Sequence, residues 1–185
     1  KQPLVVVLGG AKASDKLGVI RQFLTRASAI LLGGIPANTL LKARGFPIGS
    51  SPYEASMLPR VRRLIKNEKI ILPSDFVSHR GKILDIGPES ARHFSEYLKT
   101  ARTILWSGPL GITEDERFAH GSRAIAHTIA ETRAFSVIGG GQTTAFVRRL
   151  GLEKRMGFLS TGGGAMLEYL AGKKLPGLAA LNYYE

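Results

Sequence analysis

Six short apolar runs, each followed by glycines or turn formers, constrain the fold of this chain more than any other feature. Leu4-Val-Val-Val-Leu8 runs into Gly9-Gly10, and Ala29-Ile-Leu-Leu32 into Gly33-Gly34. Ile70-Ile-Leu72 precedes Pro73-Ser-Asp75, and Thr103-Ile-Leu-Trp106 precedes Ser107-Gly-Pro109. Phe135-Ser-Val-Ile138 meets Gly139-Gly-Gly141, and Gly157-Phe-Leu159 meets Ser160-Thr-Gly-Gly-Gly164. Unbroken apolar runs of this length suit strands buried on both faces, as in a parallel sheet. Helical patterns fall between them at Ser14–Arg26, Tyr53–Asn67, Glu89–Lys99, Glu116–Thr132 and Ala165–Leu170. The alternation predicts one α/β domain over residues 1–185. It is a doubly wound, Rossmann-like sheet of six parallel strands, with helices on both faces in three layers.

In such a sheet every strand ends along one edge, and ligands bind in the crevice there. The glycines follow the strands directly, so they line that edge. Glycine lets a ligand approach the backbone closely, and a helix N-terminus offers free N–H groups to an anion. Four such loops on one edge predict phosphate or nucleotide binding. The loops contain neither the Gly-x-x-x-x-Gly-Lys-Ser/Thr of a P-loop nor a dinucleotide Gly-x-Gly-x-x-Gly after a strand. His79, His93, His120 and His127 show no metal spacing. Ser160 and Thr161 lack the surroundings of a nucleophile elbow and read as caps for the following helix.

Composition narrows the partners. Lys and Arg total 26 against 14 acidic residues, a net charge of +12 that favours anions. The charge is scattered. Arg60, Arg62, Arg63 and Lys66 alternate with Met57, Leu58, Val61, Leu64 and Ile65 at helical spacing, which reads as a solvated face rather than a nucleic-acid patch. No stacking aromatic motif, zinc spacing or helix-turn-helix signature accompanies it. No apolar run approaches the ~18 residues that span a bilayer, so no membrane partner is expected. The chain has no cysteine, which makes a reducing, cytoplasmic setting the default. It opens on Lys1 immediately before a strand-like run and reads as a piece of something longer.

From Gly9-Gly-Ala-Lys-Ala-Ser-Asp-Lys16 onward the sequence resembles the C-terminal, nucleotide-binding domain of phosphoglycerate kinase. The resemblance continues in order through Leu72-Pro-Ser-Asp75, Asp85-Ile-Gly-Pro-Glu89, Trp106-Ser-Gly-Pro-Leu-Gly111, Gly139-Gly-Gly141, Ser160-Thr-Gly-Gly-Gly-Ala165 and Gly172-Lys-Lys-Leu-Pro-Gly177. It implies transfer of a phosphoryl group between 1,3-bisphosphoglycerate and ADP, with ADP or ATP bound here as the Mg²⁺ complex. It also implies a monomer whose phosphoglycerate site lies in an N-terminal domain absent from this sequence. This chain alone is then expected to bind nucleotide without completing the reaction.

The resemblance carries roles to individual positions. Lys16 matches the lysine on the nucleotide phosphates, with Lys12 a helical turn before it. Glu114 is the expected acceptor for the ribose hydroxyls. Gly10, Gly87, Ser107, Pro109, Gly111 and Thr143 fall at nucleotide-binding positions. Gly139, Gly140 and Gly141 form the loop beside the phosphates. Gly162, Gly163 and Gly164 form the helix N-terminus that faces the transferring phosphoryl group. Such chemistry needs positioning and charge neutralisation more than a covalent catalyst, and N–H groups, lysine and Mg²⁺ supply both.

Three departures qualify the resemblance. Only one half of the enzyme is represented. Phe76 to Leu84 is shorter than the family's usual insertion, which predicts a more exposed base. Ser107 replaces the usual Asn, and Gln142 replaces the usual Asp that serves the metal. A neutral amide attracts Mg²⁺ far less than a carboxylate, so Mg²⁺ dependence is the weakened expectation. The alternative these departures support is a non-catalytic module of the same family, held in a larger and RNA-containing complex.

Overall fold

The computed structural model describes residues 1–184. The chain runs β1 (Leu4–Leu8), α1 (Ser14–Phe23), β2 (Ala29–Leu32), α2 (Gly34–Ala43), α3 (Leu58–Val61) and β3 (Ile70–Ile71). A hairpin of β4 (Phe76–His79) and β5 (Lys82–Ile86) follows, then α4 (Pro88–Thr100), β6 (Thr103–Ser107) and α5 (His120–Glu131). The last elements are β7 (Phe135–Gly139), α6 (Gly141–Arg149), β8 (Phe158–Ser160), α7 (Gly163–Leu170) and α8 (Pro176–Ala179).

Six strands pair in the order β3-β2-β1-β6-β7-β8, every pair parallel. Alternate residues of the apolar runs feed opposite cores. Val5, Val7, Leu31, Ile104 and Trp106 pack with α4, α5 and α6 residues such as Phe94, Ile125 and Phe146. Val6, Leu8, Ile30, Leu32 and Leu105 pack with Leu17, Ile20, Leu40, Val61 and Leu167 of α1, α2, α3 and α7. The three-layer prediction holds.

Chain order reverses beside β1, and the loops after β1 and β6 lock together there. Gly9 N–H donates to Ser107 O at 3.0 Å and Gly10 N–H to Pro109 O at 2.8 Å. A Cβ on Gly9 would collide with the Pro109 carbonyl, and Gly10 takes φ 88°. These glycines close the floor of the crevice.

Four local expectations need correction. The long helix over 53–67 is a 3-10 turn at Ala55–Met57, the short α3 and further turns, although Met57, Val61 and Leu64 still face the core. The 116–132 helix begins as α5 at His120, behind a separate 3-10 turn. Helix α2 occupies a stretch to which no helix was assigned; Pro36 is tolerated because it lies in the first turn, where no N–H is required. Residues 76–84 belong to a hairpin rather than a plain short loop. Its turn is set by Arg80 and Gly81 at φ 49° and 74°.

Candidate functional site

The helices that start along the glycine edge differ in how their N-termini are satisfied. Each must place its first N–H groups somewhere. At α1, the Glu54 carboxylate accepts from Ala13 N–H at 2.5 Å and Ser14 N–H at 3.0 Å. At α4, Asp75 accepts from Glu89 N–H at 3.0 Å, Ser90 N–H at 2.7 Å and the Ser90 hydroxyl at 2.5 Å. At α5, Asp85 accepts from Gly121 N–H at 2.8 Å, while its other oxygen takes Ile86 N–H at 2.9 Å. At α2, backbone carbonyls suffice: Gly34 N–H reaches Leu110 O and Ile35 N–H reaches Gly10 O.

Helices α6 and α7 stay open. Their N-cap residues are Gly140 and Gly162, which carry no side chain, and no side chain caps either helix. The first-turn N–H groups of Gly141, Gln142, Gly163 and Gly164 meet no acceptor among the described residues. Ser160 and Thr161, expected as caps, cap nothing. The two open ends lie together: a Cβ on Gly163 would stand 2.6 Å from Gly140 Cα, and Gly140 holds φ 96°. Both glycines are therefore required by packing and by backbone geometry alone.

Lys16 comes to the same place. Its side chain is buried, and Nζ donates to Ser107 Oγ at 3.1 Å. A Cβ built on Gly140 would lie 3.7 Å from that same Oγ, so the ammonium sits beside the α6 loop. Burial pushes Lys16 down to about 8, against the pull of Asp15. Lys12 does not share the helix. It lies exposed in the loop before α1.

A cleft of about 480 Å³ opens alongside. Gly10, Ile35, Ala37 and Pro52 form one wall, and Phe76, Ile83 and Leu84 of the hairpin form another. Pro109, Gly111, Ile112, Glu114 and Gln142 complete it. The hairpin thus supplies a wall where a short loop promised exposure. At the mouth, Gln142 Nε2 donates to Glu114 Oε1 at 3.2 Å.

Several predicted ligand residues carry structural duties of their own. Ser107 is 1% exposed and touches Lys16 rather than open space. Thr143 is equally buried, and its hydroxyl accepts from Gly108 N–H at 2.8 Å. Gly87 lies off the cleft, where any Cβ would strike the Asp75 carboxylate. Gly111 lines the cleft but is small because Asp85 lies behind it. A Cβ on Gly139 would strike Met166. Conversely, sequence reading missed Glu54, Asp75 and Asp85 as the anions that close α1, α4 and α5, and it missed Asn38 in the cleft wall.

No group of three or more His, Cys, Asp or Glu side chains among the described residues could hold a metal ion. No described helix is long and apolar enough to cross a membrane.

Fold and edge together define a Rossmann-like α/β domain whose open groups at the strand ends are N–H donors and a lysine. The profile of the phosphoglycerate kinase family matches residues 1–173. A phosphoglycerate kinase of Pelotomaculum thermopropionicum is 44% identical over 205 positions, covering 98% of this chain and 52% of the relative. One from Salinispora tropica is 46% identical, with 98% and 51% covered. The solved phosphoglycerate kinase of Coxiella burnetii superposes with TM-score 0.91 at 34% identity, covering 100% of this chain and 54% of that one. The chain belongs to the phosphoglycerate kinase family. It spans about half the length of the relatives it matches.

Proposed function

We infer that this chain is the nucleotide-binding half of a phosphoglycerate kinase, taking ADP or ATP at the glycine edge. The observation that carries this is the pair of open helix ends at α6 and α7 beside the Lys16 ammonium. The base occupies the carbon-lined cleft, the ribose hydroxyls donate to Glu114, and the phosphates meet the N–H groups of Gly141, Gln142, Gly163 and Gly164. Lys16 releases Ser107 and swings onto a phosphate, where desolvated opposite charges interact strongly. Lys12, exposed on the approach, adds a second positive charge.

In the full reaction the phosphoryl group passes to or from a carboxylate of phosphoglycerate presented by the other half of the enzyme. The α7 N-terminus then stabilises charge on the transferring group, without forming a covalent bond. Mg²⁺ arrives on the nucleotide rather than in a resident site. Among the described residues, the mouth of the cleft offers it the neutral Gln142 amide and a Glu114 carboxylate already engaged by that amide.

Calorimetric titration with ADP, with and without Mg²⁺, tests the reading. Micromolar-to-millimolar binding is expected, with Mg²⁺ changing the affinity little. Gln142→Asp should weaken metal-free ADP about three- to tenfold, since a carboxylate repels phosphate, and Mg²⁺ should restore it. Absence of heat and of any thermal shift at several millimolar ADP rules the reading out.

A further inference from the structure

We propose that Arg149 is a positioning residue, which sets Glu114 for the ribose hydroxyls by tying the backbone beside it to helix α6; the inference rests on the nucleotide reading above. Glu114 lies in the loop between β6 and α5, with its side chain exposed. A carboxylate on a loop aims at one place only if the neighbouring backbone is held. On one side, Ile112 N–H donates to Leu84 O of the hairpin at 3.0 Å. On the other, Arg149 reaches out from the last turn of α6. Its Nη2 donates to the carbonyl oxygen of Thr113, the residue directly before Glu114.

The Arg149 guanidinium is itself held. It lies over the Phe146 ring, 5.1 Å from the centroid, and Phe146 is buried in the core. A planar, always-charged fork stacked on an aromatic face keeps its donors aimed in a fixed direction. No carboxylate among the described residues forms an ion pair with it, so the Thr113 carbonyl does not compete with an anion. Arg148, one position earlier, makes neither contact among the described residues.

The start of the same helix holds the other end of Glu114, where Gln142 Nε2 donates to Oε1 at 3.2 Å. A carboxylate has about four acceptor positions, so this one bond leaves room for hydroxyl donors. Helix α6 therefore grips Glu114 twice, by side chain at its first turn and by adjacent backbone at its last. It also carries the open N–H groups of Gly141 and Gln142. One rigid nine-residue element thus fixes the ribose acceptor relative to the phosphate donors. Hydrogen bonds weaken steeply away from good alignment, so releasing one grip should be felt at the ribose and not at the phosphates.

The test is calorimetric titration of the chain with ADP and with 2′,3′-dideoxy-ADP, which keeps the base and both phosphates but lacks the ribose hydroxyls. Wild type should bind ADP about tenfold or more tightly, since hydrogen bonds to a charged group are at stake. Arg149→Met keeps an apolar stem on Phe146; it should weaken ADP about three- to tenfold and dideoxy-ADP by less than about twofold. Arg149→Lys, which retains the charge and a donor, should recover part of the ADP preference. Arg148→Met removes an equal charge without the contact and should keep the preference whole. In Glu114→Ala, adding Arg149→Met should cost ADP less than about twofold, because both changes act through one acceptor. Thermal melts establish that each variant is folded, and if Arg149→Met is not, the smaller ADP-specific loss in Arg149→Lys is read in its place. Equal losses for the two nucleotides, an undiminished ADP preference in the folded variant, or equal binding of both by wild type overturns the positioning role and leaves nucleotide binding standing. Failure of wild type to bind either nucleotide overturns both readings.

Discussion

Helices α1, α4 and α5 start along the same edge as α6 and α7, yet the first three carry their own anions and the last two do not. Glu54, Asp75 and Asp85 sit where a ligand oxygen would otherwise go. At α6 and α7 the corresponding place is left by Gly140 and Gly162. One backbone feature thus serves stability at three sites and is free for binding at two. The difference lies in whether a carboxylate has been brought in from elsewhere in the chain, not in the helices themselves. The buried ammonium follows the same division, since Lys16 stands at the open end rather than opposite a carboxylate.

The strongest way to break this contrast is Lys16→Met. Losing a charged hydrogen bond to phosphate should weaken ADP about 10- to 100-fold. Folding should not suffer, because a group pushed down to about 8 is held less easily in its charged form when folded than when unfolded. That cost is full below pH 8 and is relieved as the pH rises toward the ordinary lysine value, so the melting temperature of the variant at pH 7 should match or exceed wild type. Phosphate favours the ammonium, so wild-type ADP affinity should fall as pH climbs through about 8. Titrations from pH 6.5 to 9.5 should show that fall in wild type and a flatter line in Lys16→Met. A stability loss without an affinity loss would make Lys16 merely structural.

The closed ends should respond in the opposite sense. Asp75→Ala removes the α4 cap and should cost about 1–2 kcal/mol of stability by denaturant unfolding, with ADP affinity within twofold. Burial works to raise the Asp75 carboxyl, but the hydrogen bonds from Ser90 and Glu89 outweigh it and hold it below its ordinary value. Its stabilisation is present at neutral pH and is lost as pH falls through that lowered value. Asp85 has the reverse sign. Burial lifts it to about 6 despite its bonds from Gly121 and Ile86, so stability from this group is greatest in acid and is lost as pH rises through about 6. Denaturant melts at pH 5 and 7 separate the two: stability from Asp85 should decline over that interval, while that from Asp75 should hold.

This division between open and closed ends was hardly legible in the sequence. The strands were, because runs such as Leu4–Leu8 have no other comfortable place than between two layers. The glycine loops were legible too, as small residues directly after strands. But Glu54 caps a helix whose capped N–H lies 41 positions earlier, and Asp85 caps one 36 positions later. Nothing local in either segment announces such a partner. Ser160 and Thr161, which look like local caps, are passed over. Ser107 and Thr143 share the chemistry of ligand-binding hydroxyls but are spent on Lys16 and Gly108, a distinction that only burial and distance make. Helix α2 went unassigned although its Pro36 suits a first helical turn well.

The smallest expected effect on folding is also the sharpest probe of the open end. Gly141 and Gly163 both stand at helix starts, but for different reasons. A Cβ at Gly163 would press into Gly140 Cα at 2.6 Å, whereas a Cβ at Gly141 would meet nothing within 4 Å. Gly141 has no unusual backbone angle either, since positive φ in this loop belongs to Gly140. Protein packing therefore gives no reason for glycine at 141. Gly141→Ala should leave stability unchanged or raise it by up to about 0.5 kcal/mol, through alanine's better helix propensity. On the proposed nucleotide reading, a phosphate approaching the α6 N–H groups supplies the missing reason. The added methyl then crowds the phosphate, and ADP affinity should drop severalfold while IDP drops equally, because the base lies elsewhere. Thermal melts and titrations of this single variant thus separate the two explanations for a glycine. Unchanged ADP affinity in a stably folded Gly141→Ala would move the phosphates away from α6.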